Sequence, residues 1–257
     1  MDTRRVLVFG DDGSTEADVA WLWVVTQRWP GWRAEVLEAH PPAGGVVPEH
    51  ERVEAYEWTP PTPRPAFAES GFEAVTHLRS ETDPRLALTR RADLLVVGPR
   101  GTGVLKALHL GSTTEWLLVH PPSPLLIARH GRRVRKVLVA ADGSVHSKLA
   151  ATTFAELPWA SETEIVVLSV DDDRTAAEQV AEAAGAELSA RGLNVRTRAI
   201  WGRPTAELLA VAEQEQSDLL VLGTRGLTGW SRLRLGSTAA AVARGACCSV
   251  LVAGTDD

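Results

Sequence analysis

The segment DLLVVGPRGTGVLKALHLGST (93–113) returns as DLLVLGTRGLTGWSRLRLGST (218–238), displaced by 125 residues and identical at 12 of 21 positions. A repeat of that fidelity means that one structural unit has been used twice, so the 257 residues divide into two related domains. The halves are expected at 1–131 and 132–257, each long enough to bury a core of its own. Both copies read Gly-x-x-Gly, nine residues, then Gly-Ser-Thr. The apolar runs 94–97 and 219–222 before them have the character of buried parallel strands.

Gly98 and Gly101, like Gly223 and Gly226, let the chain turn sharply after each strand and approach another group closely. Gly111-Ser112-Thr113 and Gly236-Ser237-Thr238 then open helical segments, with hydroxyls at hand to cap free amides. A loop rich in amides meeting a helix start favours an anion, phosphate above all. The alternative is that these glycines only close tight turns. Recurrence of the same nine-residue interval favours the phosphate reading.

The spacing differs from better-known phosphate loops. Gly-x-x-x-x-Gly-Lys-Ser/Thr is absent, and Gly101-Thr102-Gly103 lacks the third glycine that a dinucleotide fingerprint would place at Lys106. It resembles the universal stress protein family, whose ATP-binding members carry Gly-x-x-Gly, nine residues, Gly-Ser/Thr. The likeness covers nearly the whole chain, since both halves also open with an apolar strand leading to Asp-Gly-Ser, at Asp11-Asp12-Gly13-Ser14 and at Asp142-Gly143-Ser144. The resemblance implies an α/β architecture of two tandem doubly wound domains. Each would have a five-stranded parallel sheet of order 3-2-1-4-5, adenine nucleotide alpha-hydrolase-like in type.

The second half supports that expectation by alternation alone. Strands are expected at 137–141, 163–170, 194–201, 218–222 and 248–253, separated by helices at 145–157, 174–191, 204–215 and 237–244. The first half departs in its crossover, where Pro41-Pro42-Ala43-Gly44-Gly45 and Pro60-Pro61-Thr62-Pro63-Arg64-Pro65 replace an amphipathic segment. Proline disrupts helix interiors, so this stretch is expected to be an extended loop with one short helix near 48–57. A lid, a partner-binding arm and plain linkage all remain open for it.

In sheets of this kind ligands bind beyond the carboxyl ends of the strands, where the strand order reverses. What the resemblance implies for the second domain is that Asp142 and Ala141 meet adenosine and Val170 lines the adenine pocket. Gly223, Gly226, Gly236 and Ser237 would hold the phosphates through backbone amides, with the Ser237 and Thr238 hydroxyls adding donors and Arg225 a cation. The corresponding first-domain set is Asp11 or Asp12, Gly98, Arg100, Gly101, Gly111, Ser112, Thr113 and Thr114. Strand-end aspartates that merely cap helices, and arginines that pair on the surface, are the competing readings. Pro99 removes an amide that Thr224 retains, and Ala239 lacks the hydroxyl of Thr114, so the two sites are expected to differ.

A net charge of −6 argues against nucleic acid as the main partner, and the basic run Arg132 to Lys136 reads as a solvated linker. No apolar segment is long enough to span a bilayer, no signal peptide is expected, and the adjacent Cys247 and Cys248 offer no disulfide framework. These features fit a cytoplasmic protein. Trp21, Trp23, Trp29, Trp32 and Trp58 crowd the first half, where packing outweighs ligand stacking. Trp230 lies within the second nine-residue interval, but Leu105 replaces it in the first copy.

Kinase and Walker signatures are missing, as are zinc spacing among the histidines and a Gly-x-Ser-x-Gly turn. No catalytic or metal-ligating residue is therefore assigned. The leading expectation is an ATP-binding stress-response regulator, with Mg2+ carried by the nucleotide and a regulatory protein as partner. Slow ATP hydrolysis or self-phosphorylation at Ser112, Thr113, Ser237 or Thr238 is the enzymatic alternative, and a nucleotide-free scaffold is the third. The family resemblance further implies an intramolecular pseudo-dimer through the terminal strands near 125–129 and 249–253, with a homodimer of chains as an extension.

Overall fold

The computed structural model describes residues 5–40, 64–101, 110–226 and 235–254, and the backbone of 53–55. Two compact units divide between Arg132 and Arg133.

In the second unit β7 (Lys136–Ala140), β8 (Glu164–Asp171), β9 (Asn194–Trp201), β10 (Leu219–Gly223) and β11 (Ser249–Ala253) alternate with α4 (Val145–Ala155), α5 (Arg174–Ser189), α6 (Pro204–Gln214) and α7 (Ser237–Gly245). All neighbouring strands pair in parallel in the order β9-β8-β7-β10-β11, the expected 3-2-1-4-5. Residues 219–222 of β10 and all of β11 are buried, as helix cover on both faces requires. Local chemistry starts the helices. Ser144 caps α4 by accepting from the Ser147 amide at 3.1 Å, Asp173 caps α5, and Pro204 stands in the first turn of α6. The turn before α4 needs Gly143 at φ +79°, as its counterpart needs Gly13 at +69°.

The first unit builds the same five parallel strands from β1 (Arg5–Asp11), β2 (Trp32–Ala39), β4 (Ala74–Ser80), β5 (Leu94–Val97) and β6 (Leu125–Ile127), in the order β4-β2-β1-β5-β6. Its helices are α1 (Thr15–Thr26), α2 (Pro84–Ala87) and α3 (Ser112–Val119). One strand is added to the expected five. β3 (Val53–Ala55) pairs antiparallel with β4, where a short helix was expected, and extends the outer edge of the sheet. Val53, Glu54 and Ala55 follow the edge of β4 for three residues, a length typical of edge strands. The rest of the expected helix, and Trp58, lie outside the described residues.

Where the second unit crosses from β8 to β9 through α5, the first unit ends its crossover with residues 64–72 laid against α1. The Trp21 indole donates to the Pro65 carbonyl at 2.8 Å, and Phe67 packs on the Trp21 ring at 4.0 Å between centroids. Phe9 meets both edge-on, while Trp29 stacks on Phe72 and meets Trp32 edge-on. Trp21, Trp23, Trp29 and Trp32 are all buried, so these tryptophans serve the core.

The basic run differs from the solvated linker expected of it. Val134 is buried, Lys136 is the first residue of β7, and the Asp218 carboxylate accepts from the Arg135 and Lys136 amides at 2.9 and 3.0 Å. Four of the run's five side chains are cationic, yet from Val134 onward its backbone is already part of the second core. Among the described residues, no helix is long and apolar enough to cross a membrane.

His77 on β4 carries a pH dependence. Burial lowers its pKa from the usual 6.5, and the Glu38 and Asp11 carboxylates only partly oppose this. The unfolded chain therefore binds the proton more tightly, and stability rises with pH through this range. Between about pH 7.5 and about pH 5.5 the urea midpoint of the first unit should fall, and His77→Gln should flatten that slope. An unchanged slope in the variant would exclude His77 as its source.

Candidate functional site

The repeated motif forms the same structure twice, at the carboxyl ends of β1 and β5 and of β7 and β10. A Cβ on Gly98 would stand 3.0 Å from the Glu16 carbonyl oxygen, and one on Gly223 would stand 2.7 Å from the Ser147 amide nitrogen. The first glycine of each motif thus lets the strand end press on the first turn of the helix that follows β1 or β7. The loop closes through its third glycine. Gly111 donates its amide to the Pro99 carbonyl at 2.8 Å, and Gly236 donates to the Thr224 carbonyl at 2.7 Å.

The second glycine faces an aspartate. A Cβ on Gly226 would lie 2.6 Å from Asp142 Oδ2, and a Cβ on Gly101 would collide with Asp12 Oδ2. In each domain the other oxygen of that carboxylate accepts from the capping serine's amide at 3.0 Å, Ser144 for Asp142 and Ser14 for Asp12. The ambiguity in Asp11-Asp12 is thereby resolved in geometry, with Asp12 standing in the place of Asp142 and Asp11 in the place of Ala141.

Asp11 has a different employment. Its Oδ1 accepts from the Gly13 amide at 3.0 Å, and its Oδ2 pairs with Arg64 Nη1 at 2.7 Å with both side chains almost wholly buried. Arg64 also bonds Asp18 Oδ1 through Nε at 2.6 Å and lies over the Trp21 ring at 4.9 Å. Burial acts to lower the Arg64 pKa, but the Asp11 and Asp18 carboxylates outweigh it and leave it raised. The guanidinium that ends the proline-rich crossover is therefore fixed to the turn carrying Asp12. Sequence reading treated Arg64 only as part of that crossover. The signal for it was an acidic residue standing where the other half of the chain has alanine.

All nine residues named for the first domain, Asp11, Asp12, Gly98, Arg100, Gly101, Gly111, Ser112, Thr113 and Thr114, line one cleft of about 880 Å3. Leu37, Ala39, Leu88 and Val97 give it an apolar wall. Gly10 pairs in register with Leu37 and Ala140 with Leu168, so Ala39 is the counterpart of Val170. In the second domain the contacts bring Asp142, Gly223, Arg225, Gly226 and Gly236 together, and the Ser144 hydroxyl reaches the Arg225 carbonyl at 3.3 Å. Ser237 and Thr238 follow in the first turn of α7. The intervals 102–109 and 227–234, with Leu105, Lys106 and Trp230, lie outside the described residues.

Neither α3 nor α7 has a side-chain cap. Gly111 and Gly236 occupy the capping positions, and the hydroxyls expected to cap the first amides do not do so. The first amides of these two helices are left to an outside acceptor, at the positive end of each helix dipole. By contrast Ser14 and Ser144 cap α1 and α4.

Two expectations are corrected. The Thr114 hydroxyl is buried and donates to the Gly98 carbonyl at 2.9 Å, so it braces the loop rather than facing a ligand. The Thr224 amide donates to the Ala253 carbonyl at 3.0 Å, so the amide missing at Pro99 is one that the second domain spends on its own sheet. Arg100 pairs with Glu16 at 3.3 Å, and both residues line the cleft. In the second domain Thr224 Oγ1 and His146 Nδ1, 3.1 Å apart, tie the loop to the first helical turn instead.

The profile of the Universal stress protein family matches residues 64–129 and 133–254. The chain belongs to the universal stress protein family. It is 26% identical over 296 aligned residues to a universal stress protein of Mycolicibacterium smegmatis, an alignment covering 97% of each chain. Universal stress protein MJ0531 of Methanocaldococcus jannaschii is 43% identical over 61 residues, 24% of this chain and 36% of that protein. A universal stress protein from Archaeoglobus fulgidus shares the fold across 98% of this chain and 97% of its own, with a TM-score of 0.65 at 19% identity. The tandem arrangement is thus a family architecture, and the first match begins at Arg64, after the part of the crossover that departs most from the second domain.

Proposed function

We propose that this universal stress protein binds adenine nucleotide, ATP in particular, at the strand-end sites and uses occupancy to regulate a partner protein. The observation that carries the reading is the paired arrangement of an aspartate against a glycine with no room for a side chain, beside a helix start whose amides are uncapped. The apolar wall of Leu37, Ala39 and Leu88 suits a base in the first domain, Asp12 suits ribose hydroxyls, and the amides of Ser112 and Thr113 suit phosphate. In the second domain Val170, Asp142 and the amides of Ser237 and Thr238 take the same parts. Among the described residues no cluster of three His, Cys, Asp or Glu side chains could hold a metal ion. Mg2+ would arrive on the phosphates, where it neutralises charge, and the chain's residues hold the nucleotide around it.

The sites differ at the adenosine end. Ala141 presents a methyl group where the first domain presents an aspartate already committed to Arg64, so the two affinities should be unequal. Native mass spectrometry of the purified chain should reveal co-purified adenine nucleotide, and calorimetry with Mg-ATP should resolve two unequal sites. Absence of both would sink the proposal.

A further inference from the structure

The groove between α4 and α5 has a counterpart in the first domain that is filled. Counting from the capping serines, Ala151 of α4 stands where α1 has Trp21, and Lys148 stands where α1 has Asp18. In the first domain that place holds the Trp21 ring, the Phe67 ring packed on it, and Arg64 bonded to Asp18. In the second domain the aromatic pair is gone, and a groove of about 600 Å3 opens between the two helices. Ala151, Val180, Ala184 and Leu188 supply its apolar surface. Its charged lining groups are Lys148, Arg191 and Glu187, and among the described residues no carboxylate pairs with either cation.

We propose that this groove is a second ligand site, distinct from the nucleotide loops, for a small aromatic carboxylate. The occupant's chemistry follows from the comparison within the chain. Replacing tryptophan by alanine leaves space for a ring system, and replacing aspartate by lysine turns a place that receives a guanidinium into one that receives an anion. The volume lies within the usual range of small-molecule pockets, about 300 to 1,000 Å3. Ala141 and Gly143 line the end of the groove beside the Asp142 turn, so its occupant would abut the second nucleotide site without using its phosphate loop.

The full-length chain can be titrated with 2-naphthoate by calorimetry, with Mg-ATP binding measured in parallel as a control for folding. Saturable binding at one site per chain is expected. Ala151→Trp, which restores the first domain's side chain, should abolish it. Lys148→Glu lies on the exposed rim, should fold normally, and should weaken naphthoate about tenfold or more while admitting the cation 2-naphthylmethylammonium in its place. No saturable binding at millimolar naphthoate, or binding indifferent to both substitutions, would overturn the proposal. So would a fall in sedimentation mass caused by Ala151→Trp, which would make the groove an interface between copies of the chain.

Discussion

Gly226→Ala should remove nucleotide binding from the second domain while costing little stability, whereas Gly223→Ala should unfold that domain far more readily than it perturbs a ligand. The two glycines are three residues apart, and what a Cβ would meet decides the difference. At Gly223 it would stand 2.7 Å from both the His146 carbonyl carbon and the Ser147 amide nitrogen, which are backbone atoms in the first turn of α4. That turn is held by the Ser144 cap and cannot retreat without opening the junction between β10 and α4. Overpacking of this kind costs about 1 to 3 kcal/mol, and the upper end is expected against backbone.

At Gly226 the Cβ would meet Asp142 Oδ2, the far end of a side chain that can rotate. Rotation breaks the 3.0 Å bond to the Ser144 amide, a loss of about 1 kcal/mol. It also carries the carboxylate out of the position proposed for ribose, so Mg-ATP affinity at that site should fall at least about tenfold. Neither glycine has a positive φ, so the effect of each substitution is one of space. Urea midpoints and calorimetric titrations of both variants check the contrast. Equal stability losses would mean that the Asp142 contact is structural, and unchanged ATP binding in Gly226→Ala would remove Asp142 from the site.

The second domain was legible in the sequence nearly to the residue. Its strands and helices fall within two residues of their expected bounds, because each rests on local signals: continuous apolar runs, a capping Ser or Asp, a proline in a first turn. The repeated motif likewise marked the loop, since glycines at close backbone contacts tolerate no replacement and so stand out. What sequence reading missed is nonlocal. Whether the Thr114 hydroxyl faces a ligand or the Gly98 carbonyl depends on how α3 seats on the end of β5, and no spacing encodes that. The Thr224 amide was weighed as a difference between the two loops because nothing in the motif shows that β11 ends beside it. Arg64 was hidden by its setting, since a proline-rich segment reads as linkage and its partners lie 53 and 46 residues away.

That hidden contact carries the largest stability effect expected in the first domain. Arg64→Met should cost about 3 to 5 kcal/mol, because it leaves the Asp11 carboxylate buried beneath the crossover with, among the described residues, only the Gly13 amide for compensation. Asp18 is more than a third exposed and should adapt to water, so the penalty belongs mainly to Asp11. Adding Asp11→Ala to Arg64→Met should then recover much of the loss, since the same turn of the second domain is built with Ala141. Asp11→Ala alone should be damaging in its turn, by leaving the guanidinium with Asp18 as its one remaining acidic partner in this triad. A double-mutant cycle read from urea midpoints gives the coupling directly, with the second domain's transition as an internal reference. Coupling below about 1 kcal/mol would place the pair among weak surface bridges, and the crossover would then be held by its other contacts, Phe67 on Trp21 and the Trp21 indole on Pro65 among them. Strong coupling would mean that the turn presenting Asp12 is braced by a residue of the crossover, a connection the second domain does not have.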